Sequence, residues 1–223
     1  MLNISKSNSF NVWKEKQDFL ISSLISQPLI ILLRISQDNL DKLYFEDIIC
    51  LINSLISSDI KNIEIAWSSH NNWVPFIKEL RKQFPDISFG AASLTDPRSL
   101  EAIAELDFKF SMSPFWDLKL QLRARELGQL VIPGVFSPSE IQQAINFGYR
   151  AIKLFPASLL GISYINQIKA SFHPIPFFIA AGGMKIRDIN SWLSNGCGAI
   201  ILGRELIKDY QIDPDLEKWL KEK

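Results

Sequence analysis

The chain has 223 residues, with 24 basic and 24 acidic side chains and a formal net charge of zero. That balance argues against a general nucleic-acid or anionic-membrane binder, whose affinity needs an excess of Lys and Arg. A composition of 47% hydrophobic and 22% charged residues is that of an ordinary globular protein, and the length suits one α/β domain over 1–223 with a large core.

The N-terminal residues mix Lys6, Lys14, Glu15, Lys16 and Asp18 with apolar positions and contain no signal-peptide core. They predict a helix over Trp13–Leu24. The apolar run from Pro28 to Leu33 stops at Arg34 and is too short to span a bilayer. It opens the first candidate strand, Ile30–Ile35. Asp38 then caps a helix through Leu40, Leu43, Ile48, Leu51 and Leu55. After strand Ile63–Trp67, Asn71 or Asn72 starts a helix through Val74, Phe76, Ile77 and Leu80 that Pro85 ends. Strand Ile87–Ala92 leads to Asp96-Pro97, a cap followed by proline at the first helical position, and to Leu100, Ile103 and Leu106. Strands Phe108–Ser113 and Leu130–Val135 come next. Ser137-Pro138-Ser139-Glu140 repeats the start signal before Ile141, Ala144 and Ile145, and Gly148 stops that helix. Strands Ala151–Phe155 and Phe177–Ala181, a helix over Asp188–Leu193 and strand Ala199–Leu202 complete the series.

Most of these runs lack polar alternation, as strands covered on both faces do. Eight of them alternating with helices predict a closed (β/α)8 TIM barrel with an extra N-terminal helix. An open doubly wound sheet is the rival fold; no GxGxxG follows the first strand to support its dinucleotide-binding form. The two cysteines, Cys50 and Cys197, have no metal-binding spacing and are expected to be reduced, buried and structural, as in a cytoplasmic protein. His70 and His173 stand alone, so no zinc pair is expected.

The chemistry of such a barrel lies at the carboxyl ends of its strands. Lys153 sits inside the apolar run Ala151–Phe155. Burial disfavours its ammonium form, and a neutral amine is a nucleophile towards a carbonyl. A head group in solvent at a strand end is the other reading. Period two sends Ala151, Lys153 and Phe155 inward, with Ile152 and Leu154 facing the helices. By the same rule Glu64, Ala66 and Ser68 face inward, and Ile63, Ile65 and Trp67 outward. Glu64 is therefore an acid/base candidate beside Lys153, or the structural counter-ion of a buried cation. Gly182-Gly183 and Gly203-Arg204 end the last two strands, where backbone N–H groups can approach an anion and Arg204 can add charge. Tight turns and a surface ion pair are the plainer alternative.

The segments LLRIS around Arg34, IEIAW around Glu64, FGAASLTDP around Ser93, FSMSP ending at Pro114, IPGVFSPSE from Ile132, IKLFPAS around Lys153, AAGG at 180–183 and LGREL at 202–206 occur together in order. In this the chain resembles the 2-keto-3-deoxy-6-phosphogluconate (KDPG) and 4-hydroxy-2-oxoglutarate (KHG) aldolases, which are class I aldolases. The resemblance implies an imine-forming role for Lys153 and a general acid/base role for Glu64. It places the pyruvoyl carboxylate at Arg34 and Ser93, lines the pocket with Pro114 and Phe155, and sets the phosphate at Gly182, Gly183 and Gly203. It implies a homotrimer, a small 2-keto acid substrate and no metal or organic cofactor. The chain departs from the family pattern in four places: Ser93 replaces a threonine, Ser68 stands in a stretch where many members carry arginine, Ala181 replaces a threonine, and Arg204 replaces a serine. The expected activity is cleavage of 2-dehydro-3-deoxy-6-phosphogluconate to pyruvate and glyceraldehyde 3-phosphate. The departures keep two alternatives open: an aldolase for 4-hydroxy-2-oxoglutarate or another 2-keto-3-deoxy sugar acid, including a galactonate-derived one, and a non-catalytic ligand-binding barrel.

Overall fold

Nine parallel strands form the wall of a barrel: β1 (Leu29–Leu33), β2 (Asn62–Ala66), β3 (Ser88–Ala92), β4 (Phe110–Met112), β5 (Val131–Ile132), β6 (Gly134–Val135), β7 (Ala151–Leu154), β8 (Phe177–Ala180) and β9 (Ala199–Leu202). This computed structural model describes residues 2–42, 45–203, 207–208 and 211–222. The strand order is β5-β4-β3-β2-β1-β9-β8-β7-β6. β5 and β6 are consecutive halves of one extended run parted at Pro133, so the ring closes through the chain itself. The single fifth strand expected over Leu130–Val135 is corrected to these two pieces. Proline has no N–H for a ladder, which interrupts the run, while its carbonyl still accepts the Lys153 N–H at 3.0 Å.

The helices are α1 (Leu2–Ser26), α2 (Gln37–Lys42), α3 (Glu46–Ser57), α4 (Trp73–Gln83), α5 (Arg98–Glu105), α6 (Leu118–Glu126), α7 (Pro138–Phe147), α8 (Ala157–Leu160), α9 (Ile162–Lys169), α10 (Ile189–Ser194) and α11 (Pro214–Lys221). A short antiparallel pair, β10 (Ile207–Lys208) with β11 (Gln211–Ile212), precedes α11. Among the described residues no helix is long and apolar enough to cross a membrane.

Local signals explain several boundaries. Ser137 Oγ accepts the Glu140 N–H at 3.3 Å, and Glu140 accepts the Ser137 N–H at 2.9 Å, which makes a capping box at the start of α7. Asp96 accepts the Arg98 N–H at 2.9 Å at the start of α5. The one helix expected from Asp38 to Leu55 is instead α2 and α3; Leu43 lies outside the described residues. Phe45 has non-helical φ −122° and ψ −4°, and its ring packs on Phe76 with centroids 4.4 Å apart, which breaks the helix there. Cys197 is buried, but Cys50 is exposed on α3, a correction to the expectation that both are buried.

α1 runs beyond Trp13–Leu24 at both ends and seals the amino end of the barrel. Lys16 donates to Asp107 at 3.1 Å and to Gln129 at 3.0 Å. Gln17 accepts the Arg150 N–H at 2.9 Å, and Ser23 donates to Asn62 at 2.9 Å. These partners lie at the starts of β4, β5, β7 and β2. Trp13, Leu20 and Leu24 are fully buried beneath them, which leaves the carboxyl ends of the strands as the mouth.

Candidate active site

The ladder registers fix what faces inward. Glu64 pairs with Leu32 on one side and Gly90 on the other, and Gly90 pairs with Phe110. Lys153 pairs with Gly134 and Ile179, and Ile179 with Ala199. These neighbours share the interior face, while Ile63, Ile65, Ile152 and Leu154 pack outward into the core beneath the helices. Glu64 and Lys153 thus project into the same space, and each feels the other's charge.

Glu64 is wholly buried, and among the described residues neither of its carboxyl oxygens has a hydrogen-bond partner. Its burial raises the carboxyl to about 7, against the opposing pull of Lys153 and Arg34. Lys153 is 6% exposed, with Nζ 5.0 Å from the centroid of the Phe155 ring. Burial pushes its amine below the usual lysine range; Arg34 acts in the same sense and Glu64 opposes both. The site therefore holds an amine that gives up its proton readily and a carboxyl able to trade one near neutrality. Arg34 follows β1 with an exposed side chain, close enough for its charge to act on both groups.

Around this pair the remaining candidates gather at the mouth. Ser93 follows β3, is half-buried and has φ +62°, a left-handed backbone that costs a non-glycine residue energy. Ser68 follows β2, and its Oγ accepts the His70 N–H at 3.2 Å. His70 in turn pairs with Asp41 of α2 at 2.8 Å. Pro114 follows β4 and is half-buried, its carbonyl crossing over Gly134. Phe155 follows β7, with its ring edge 2.9 Å from where a Gly182 Cβ would stand. Gly182 and Gly183 have φ +89° and +72°, and among the described residues their N–H groups meet no acceptor. Gly203 follows β9; Arg204 lies outside the described residues.

Sequence reasoning missed the residues that hold the Pro114 loop. Ser113 is fully buried and donates to the Phe115 carbonyl at 2.8 Å. Gln121 reaches Ser113 Oγ at 3.5 Å, and Tyr149 Oη lies 2.6 Å from Gln121 Oε1 and 2.7 Å from the Val131 carbonyl. None of the three stands out in its local sequence, since Gln121 lies between Lys119 and Arg123, Tyr149 between Gly148 and Arg150, and Ser113 two residues after Ser111. Among the described residues no three His, Cys, Asp or Glu side chains gather as a metal site would require.

Comparison with known proteins gives a family match over most of the chain. The KDPG and KHG aldolase family model matches residues 26–220. The 2-dehydro-3-deoxy-6-phosphogalactonate aldolase of Escherichia coli (strain K12) is 26% identical over 158 residues, 70% of this chain and 77% of that protein. The 2-dehydro-3-deoxy-phosphogluconate aldolase of Pseudomonas aeruginosa is 29% identical over 150 residues, 66% of this chain and 67% of that protein. A solved native KDPGal structure superposes with a TM-score of 0.72 at 25% identity, covering 86% of this chain and 90% of the other.

Proposed function

The chain belongs to the KDPG and KHG aldolase family, and on that premise we propose that residues 1–223 act as one class I, Schiff-base aldolase that cleaves 2-dehydro-3-deoxy-6-phosphogluconate to pyruvate and glyceraldehyde 3-phosphate. The observation that carries this reading is a buried Lys153 at the barrel mouth sharing its interior with a fully buried Glu64.

In this reading the Lys153 amine attacks the C2 carbonyl carbon, and the carbinolamine loses water to give an iminium. The iminium draws in the electron pair of the C3–C4 bond as a base removes the C4 hydroxyl proton. Glyceraldehyde 3-phosphate leaves, and the enamine is protonated at C3 and hydrolysed to pyruvate. Glu64 serves these proton transfers, which its raised carboxyl suits. Arg34 and Ser93 hold the substrate carboxylate, with Ser68 beside them. Pro114 and Phe155 shape the pocket, and Gly182, Gly183, Gly203 and Arg204 take the phosphate. No step here calls on a metal or organic cofactor.

A second substrate is favoured by one observation: the matched relatives include a 2-dehydro-3-deoxy-6-phosphogalactonate aldolase. The same chemistry on 2-dehydro-3-deoxy-6-phosphogalactonate is therefore the second reading. The family resemblance also carries a homotrimer into the proposal; exposed Phe115, Leu118, Leu122 and Phe136 offer apolar surface for it.

Borohydride trapping with pyruvate, read by intact mass and peptide mapping, tests the reading. A reduced pyruvyl adduct on Lys153, absent in Lys153→Ala, is the expected result. A folded protein that forms no adduct removes the aldolase reading and leaves a ligand-binding barrel.

A further inference from the structure

Beyond Phe155 the chain goes on pairing with the segment that follows β8. Ala157 N–H donates to the Ala181 carbonyl at 2.7 Å, and Ser158 N–H to the Gly182 carbonyl at 3.1 Å. This pairing holds Ser158 over Gly183 so closely that a Cβ on residue 183 would lie 2.3 Å from Ser158 Oγ. Among the described residues, the N–H groups of Gly182, Gly183 and Met184 donate to nothing, and the Ser158 hydroxyl has no partner. Asp188, the carboxylate of the following turn, is engaged by the Lys185 N–H at 3.1 Å. The corner thus gathers neutral donors, the set that an oxyanion calls for.

Its distance from the chemistry is set by Phe155. One side of that ring faces Lys153 Nζ, 5.0 Å from the centroid, and its edge lies 2.9 Å from the Cβ position of Gly182. One aromatic ring therefore separates the amine from the corner, a span that a few carbons of an extended substrate bridge.

We infer that Ser158 determines specificity at this site: its hydroxyl, with the amides of Gly182 and Gly183, holds the terminal phosphate monoester of a 2-keto acid whose carbonyl carbon lies at Lys153. This rests on the aldolase reading above. A phosphate monoester presents three oxygens in a tetrahedral array and can engage several converging donors at once, where a planar carboxylate engages fewer. Ser158 is exposed, so its replacement leaves no cavity in the core.

The test compares wild type, Ser158→Ala and Ser158→Thr on a 6-phosphorylated 2-keto-3-deoxy acid and on its unphosphorylated counterpart, with pyruvate trapping on Lys153 in each protein. Ser158→Ala should raise KM for the phosphorylated substrate about tenfold, as loss of one hydrogen bond to a charged group does. Its kcat, its action on the unphosphorylated acid and its pyruvate adduct should stay at wild-type levels, and Ser158→Thr should restore the lower KM. An unchanged ratio of the two kcat/KM values in Ser158→Ala overturns the inference, as does a wild type with no preference for the phosphorylated acid. A wild type that traps no pyruvate strikes the aldolase reading itself, and this inference falls with it.

Discussion

Gly134 lies directly beneath the carbonyl of Pro114: a Cβ on residue 134 would stand 2.3 Å from that oxygen and 2.8 Å from Phe115 N. Gly134 is also the ladder neighbour of Lys153. The loop that lines the mouth therefore rests on a missing side chain beside the proposed nucleophile. Both obstacles are backbone atoms, so Gly134→Ala must move either the Pro114 loop or the strand. Overpacking of this kind costs about 1–3 kcal/mol, which urea unfolding would read. Aldol cleavage should fall by about tenfold or more, since misplaced pocket walls spoil positioning. Wild-type stability together with wild-type kcat/KM would show that the loop is free to lift and does not shape the site.

Glu64 should leave its mark on pH dependence. Burial raises its carboxyl from 4.5 to about 7 in the folded state. The folded chain then holds that proton more tightly than the unfolded chain, so the stability it contributes is full below 4.5 and is lost as pH rises through about 7. Lys153 has the opposite sign, because its folded value is lowered and the stability it contributes returns as pH rises. Glu64→Gln removes the first effect and, by taking away the charge that opposes the lowering of Lys153, deepens the second, which also returns stability as pH rises. The variant should therefore gain stability relative to wild type as pH rises from 4.5 to about 7, measured as the difference in urea midpoints. Its kcat should drop by about 10²–10⁴ with loss of the acid limb that wild-type kcat/KM shows near neutrality. A limb that survives the substitution belongs to another group.

The barrel was legible because its strands are apolar runs without alternation, and α7 because Ser137 and Glu140 sit at capping-box spacing. α6 was not, since Leu118, Leu120 and Leu122 alternate as in a strand. Its helicity comes from Asp117, which accepts the Lys119 N–H at 2.8 Å, and from burial of Leu120 and Ala124 on one face. α11 carries a readable start in Asp213-Pro214, the same kind of signal as Ser137-Pro138. Lys153 and Glu64 stood out because a charge inside an apolar run is anomalous wherever it occurs. Tyr149 and Gln121 have no such mark: they are 28 positions apart in the chain and become a pair only when the turn between α7 and β7 meets α6. Gly134 is silent in the same way, because its role depends on where the Pro114 loop crosses.

Gln17 tests whether the sealed end of the barrel matters to the open one. Its side chain is 1% exposed; it accepts the Arg150 N–H at 2.9 Å and donates to the Gly148 carbonyl at 3.4 Å, just ahead of β7. Gln17→Leu keeps the bulk but strands both backbone groups, which should cost about 1–3 kcal/mol, read by urea unfolding. Three residues past Arg150, Lys153 has its own tether, the 3.0 Å bond from its N–H to the Pro133 carbonyl. Pyruvate trapping on Lys153 should therefore persist in Gln17→Leu while stability drops. Gly134→Ala, which disturbs the mouth itself, should lose activity along with stability, so the contrast matches a barrel whose amino end serves stability and whose carboxyl end serves chemistry. Trapping that declined in step with stability would mean that α1 positions the amine as well as closing the floor.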